Sequence, residues 1–202
     1  TWPLEPGGFL RPVGQSSILM DAVTMSLALN SGLRLDRSQF EIANVRAGLF
    51  EKQVQSVINQ SPWVPSEELS RLRGKTLRRD QLHLTDIDAL GVIGDTLLCV
   101  SCKSVVYDTH YDAGDYRVVQ NNKSRIDEAV RDWTTLMEDL RAEPVGDNFD
   151  FSPFSKIIGV VCTPFVVYSD NADTLKEIVP GLRACVSIGE FRTWLNSGGY
   201  TP

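Results

Sequence analysis

Residues 85–104 read TDIDALGVIGDTLLCVSCKS. Two apolar runs, 85–93 and 96–106, flank Gly94 and Asp95, a pair suited to a tight chain reversal, so the stretch reads as a β-hairpin. Its charges are out of keeping with its apolar pattern. Asp86 and Asp88 open the first run, and Lys103 stands near the end of the second. Side chains alternate along a strand, which puts Asp86 and Asp88 on one face and Ile87 and Ala89 on the other. By the same rule Ser101 and Lys103 share a face of the second strand, with Val100 and Cys102 opposite. The hairpin therefore presents two carboxylates, a hydroxyl and an ammonium as neighbours. Buried charges persist when they are paired or hold a metal. Either an Asp88–Lys103 ion pair or a cation site answers that requirement.

The flanking sequence supplies further candidates. A helix is predicted over 38–59, with Phe40, Ala43, Ala47, Phe50, Val54, Val57 and Ile58 in its apolar stripe. Glu51 falls among them at helical spacing from Ala47, Val54 and Ile58, facing a core or cleft, or else pairing with an arginine at the stripe's edge. As a third carboxylate it would complete an oxygen-rich set suited to Mg²⁺ or Mn²⁺. Hydrolysis of a phosphodiester needs that chemistry: a cation polarises the phosphate and acidifies a bound water, while a lysine orients the water or offsets developing charge.

The rest of the chain reads as α/β. A weak strand is predicted over 74–79 and a second long helix over 121–142. KIIGVVCTPFVV (156–167) reads as a buried strand, ACVSI (184–188) as a short one, and GEFRTWLNSG as a closing helix. The order implies a mixed central sheet flanked by helices. Residues 1–37 read as an arm carrying a short helix over 17–29, and 38–202 as the α/β domain. The chain opens on Thr1 and is expected to be part of a larger protein.

A net charge of −6 argues against a surface coated with phosphate-binding residues. One basic cluster stands out: Arg71, Arg73, Lys75, Arg78 and Arg79. Lys123 and Arg125, expected at the start of the second long helix, are further phosphate-contact candidates, since helix N-termini favour anions. His83 and His110 read as surface or loop histidines. Four cysteines in apolar runs point to a reducing, cytoplasmic setting. Cys99 and Cys102 spell C-x-x-C, but three residues apart on a strand they face opposite ways and cannot share a metal. No apolar run is long enough to span a bilayer.

Residues 85–104 resemble the core signature of the PD-(D/E)xK nucleases: an acid on one strand, a short turn, then acid-x-lysine on the next. Asp88 matches the first acid and Lys103 the lysine, and the helix bearing Glu51 resembles the family's first helix. IDAL followed by VSCKS is similar to Mrr-like restriction endonucleases and to nuclease domains of CRISPR-associated ancillary effectors. Ser101 departs from the pattern, standing where Glu, Asp or Gln is usual.

The resemblance implies a restriction-endonuclease-like α-β-β-β-α-β core and a nuclease that uses Mg²⁺ or Mn²⁺, acting on nucleic acid with DNA ahead of RNA, within a defence or repair protein. It assigns catalysis to Asp88, Lys103, Ser101 and Glu51. The metal falls to Asp88, the Cys102 backbone carbonyl and either Glu51 or Asp86, while Lys75, Lys123 and Arg125 stand as the nucleic-acid-contact candidates from the basic cluster and the helix start. Many such nucleases work as homodimers. The alternative is a nuclease-like module that has lost catalysis and serves as a binding or scaffolding domain.

Overall fold

The computed structural model describes residues 10–13, 17–20, 39–105 and 109–197. In chain order the elements are β1 (Leu10–Val13), β2 (Ser17–Met20), α1 (Gln39–Asn59), α2 (Glu67–Ser70), β3 (Thr76–Arg79), β4 (Leu82–Asp86), β5 (Ala89–Ile93) and β6 (Thr96–Cys102). There follow α3 (Thr109–Asp112), α4 (Tyr116–Ala142), β7 (Lys156–Thr163), α5 (Ala172–Leu175), β8 (Glu177–Val179), β9 (Leu182–Arg183), β10 (Cys185–Ser187) and α6 (Ile188–Asn196). The central sheet runs β10-β7-β6-β5, with β5 antiparallel to β6 and the other neighbours parallel. It is the predicted mixed sheet between helices.

Each face of the sheet has its own core. Phe50, Val54, Val57 and Ile58 of α1 and Phe191, Trp194 and Leu195 of α6 pack against Leu98, Val100, Val160 and Cys162. On the other face Ile126, Val130, Trp133, Met137 and Leu140 of α4 cover Leu97, Cys99, Ile157 and Val161. These five α4 residues recur at three- and four-residue steps, which is why one helix buries them along one stripe. Burying each stabilises the fold by about 1.5–3 kcal/mol before entropy is counted. Gly159 lets α4 approach this closely: a Cβ there would stand 2.1 Å from Met137 Cγ.

β5 is an edge strand, and the fold closes it. Leu90 N–H donates to Gln55 Oε1 at 2.9 Å, and Gln55 Nε2 donates to the Leu90 carbonyl at 3.0 Å, so a side-chain amide from α1 stands in for a neighbouring strand. Val92 N–H donates to the Trp63 carbonyl at 3.0 Å. Unpaired main-chain groups on an edge invite pairing with other chains, and these contacts remove that opportunity.

Several expectations change. The strand foreseen over 85–93 is two strands with a break at Ile87 and Asp88: β4 turns aside to pair with β3. Side-chain alternation slips at that break, since Ile87 joins the α4-side core and Ala89 the α1-side core, although Leu90 also faces α4. The long helix expected from 121 begins at Tyr116, because Asp115 caps it by accepting from the Arg117 and Val118 amides. The long strand from 156 stops at Thr163, before Pro164. Residues 17–20, foreseen as the start of a helix, pair with β1 as a strand, Val13 opposite Ser17 and Leu10 opposite Met20. The remainder of that predicted helix lies outside the described residues.

Candidate functional site

The break before β5 creates the site. Asp88, released from strand pairing, turns its carboxylate onto β6, where Oδ2 accepts the Cys102 amide at 2.6 Å. Its pKa is pushed up from 3.8 to about 6, chiefly by burial. The Cys102 hydrogen bond and Lys103 oppose that shift, while the Glu51 and Asp86 carboxylates reinforce it. Three acids thus share one electrostatic neighbourhood, and a proton on Asp88 is one way of relieving it. A cation is another.

Glu51 is half-buried on α1, and its charge reaches Asp88. The alternative foreseen for it, an arginine partner, does not occur among the described residues. Lys103 is exposed just past the end of β6, its amide donating to the Cys162 carbonyl at 2.9 Å. It acts on Asp88 through space without closing an ion pair, so the charges are not explained as a structural salt bridge. Cys102 packs toward the α1 side and Cys99 toward the α4 side, on opposite faces of β6. Burial pushes both thiols up, Cys99 to about 12, so neither is a ready thiolate.

Ser101 is 5% exposed and makes no hydrogen bond to Asp88. Together with Lys103 it lines a groove of about 520 Å³ between β4, the end of β6 and α4. A groove of similar size, about 550 Å³, runs between α4, β7 and the β8–β9 hairpin, and none of the predicted site residues lines it.

The basic candidates separate. Arg79 is largely buried and pairs with Asp139 at 2.8 Å and Glu143 at 3.1 Å, which makes it a brace between β3 and α4. Arg71, Arg73, Lys75 and Arg78 are exposed, and among the described residues none of them closes an ion pair. An isolated bridge sets Arg73 beside Ile87, and Thr76 pairs with Asp86, so this basic run passes alongside the acids. Because α4 begins at Tyr116, Lys123 lies two turns into the helix and not at its start, correcting the expected helix-terminus site. Lys123 pairs with Asp170 at 2.6 Å and with Asp127 at 3.8 Å. Arg125, also inside the helix, is exposed.

The donors suit a hard cation in kind: carboxylate oxygens around a centre whose acids repel one another. Among the described residues no three His, Cys, Asp or Glu side chains converge into a ready-made cage. Mg²⁺ commonly binds through one or two carboxylates and keeps several waters, and Asp88 with Glu51 or Asp86 matches that donor type. The break in the strands was missed in the sequence because D-I-D-A continues the alternation without interruption. Its only local signal is a second acid where a core residue would serve.

Comparison with known proteins brings no match, whether to family models, to curated proteins or to solved structures. Among the described residues no helix is long and apolar enough to cross a membrane.

Proposed function

We propose that the chain is a Mg²⁺- or Mn²⁺-dependent nuclease domain that hydrolyses phosphodiester bonds in nucleic acid, DNA ahead of RNA. The observation that carries this reading is the half-buried Asp88 carboxylate at a break in the strands, within electrostatic reach of Glu51, Asp86 and the Lys103 ammonium. Asp88 would hold the metal with Glu51 or Asp86 and the Cys102 carbonyl. The bound ion would supply Lewis acidity toward the phosphate and a more acidic water. Lys103, exposed at the strand end, would orient the attacking water and offset charge that develops on the phosphate. The Cys102 amide fixes Asp88 Oδ2, and Oδ1 would be the oxygen offered to the metal. Arg73 and Lys75, beside the acids, hold flanking phosphates.

A specific departure favours a second reading, a nuclease-like binding module without catalysis. Ser101 offers a neutral hydroxyl where the pattern has an acid, and it lines the groove without a hydrogen bond to Asp88. Calorimetric titration with Mn²⁺ separates the two. The nuclease reading predicts one site in the wild type, weakened at least tenfold in Asp88→Asn. Absence of Mn²⁺ binding in the wild type would favour the binding module.

A further inference from the structure

The groove beside Ser101 has a chemistry of its own, and it shares one residue with the acid centre. Lys103 lines the groove and also acts electrostatically on Asp88. Thr85 and Ser101 contribute hydroxyls on the sheet side, and α4 contributes Asp132, Trp133 and Thr135. Ser101 lines the groove, and its hydroxyl makes no hydrogen bond among the described residues, so it is available to whatever enters. Aliphatic side chains of β4 and α4 cover the remaining wall.

We infer that this groove receives the base and sugar of one unpaired nucleotide whose phosphate lies at Lys103, so that the substrate is single-stranded at the cut. This rests on the nuclease reading above. A space of about 520 Å³ falls within the range that holds small ligands, and an apolar wall with a few hydroxyl and carboxylate groups matches the flat face and polar edge of a base. A duplex is too wide to enter, and drawing a paired base out of it costs a few kcal/mol that an unpaired base does not meet. The small Ser101 side chain fits this role. A longer acid there would fill the floor of the groove, whereas a serine leaves room and offers a hydrogen bond.

Binding without metal tests the inference separately from hydrolysis. Anisotropy of a labelled 12-nucleotide single strand and of the matching duplex is measured in EDTA for the wild type and for Thr135→Phe. Thr135 is an exposed helix position, so the variant narrows the groove without disturbing a core. The wild type should bind the single strand at least tenfold more tightly than the duplex. Thr135→Phe should erase that preference while duplex affinity stays within twofold. A wild type with no preference for single strands, or a Thr135→Phe variant that keeps it, overturns the inference. Neither result depends on whether Lys103 supports cleavage.

Discussion

Asp88 concentrates the account at the scale of one residue. Its folded pKa of about 6 lies above the ordinary 3.8, so the native chain holds this proton more tightly than the unfolded chain does. The stability this confers is complete below the unfolded value and is lost as pH rises through about 6, a loss of roughly 3 kcal/mol for a shift of this size. Asp88→Asn keeps an acceptor for the Cys102 amide and removes the titration. Thermal melts without metal should therefore show the variant gaining on the wild type between pH 4 and pH 7. Added Mn²⁺ should narrow that gap at pH 7 by stabilising the wild type alone. A constant difference across this range would mean that Asp88 carries no such strain.

Gln55 shows what an element can do that its own sequence does not announce. It lies on α1 between Val54 and the buried pair Val57 and Ile58, where a polar residue reads as a flaw in the stripe, yet its amide completes the edge of β5. Gln55→Leu leaves the Leu90 N–H and carbonyl buried without partners. At about 1–3 kcal/mol for each unsatisfied group, chemical denaturation should show a loss of roughly 2–5 kcal/mol. A loss well under 1 kcal/mol would show that the edge does not need its cap. The same contrast explains what was legible beforehand. The long helices and the buried strands of the central sheet follow from periodicity and run length, which act locally. The break at Ile87 and Asp88 follows from partners far away in sequence, β3 for one side and the Cys102 amide for the other, and alternation alone does not encode it. Asp88 and Lys103 were legible because charge in an apolar hairpin is conspicuous. The groove side of Ser101 was not, since it needed the position of α4.

Among the described residues of this acidic chain, four exposed cations that close no ion pair fall together in the run that passes the acid centre. With a net charge of −6, association with a polyanion depends on where cations cluster and not on the total. Arg71, Arg73, Lys75 and Arg78 supply that cluster, while Arg79 and Lys123 are spent on internal ion pairs. The sheet, the α1 layer and the strand break together bring Glu51 into one field with Asp86, Asp88 and Lys103 of the hairpin stretch. Whether that field performs hydrolysis is tested most directly by the cleavage rate of a single-stranded DNA and a plasmid in Mn²⁺, with the wild type set against Lys103→Ala. The account predicts metal-dependent cleavage by the wild type and a loss of at least a hundredfold in Lys103→Ala, within the contribution expected of one positioned catalytic group. Equal rates for the two proteins, or no cleavage by either, would contradict it.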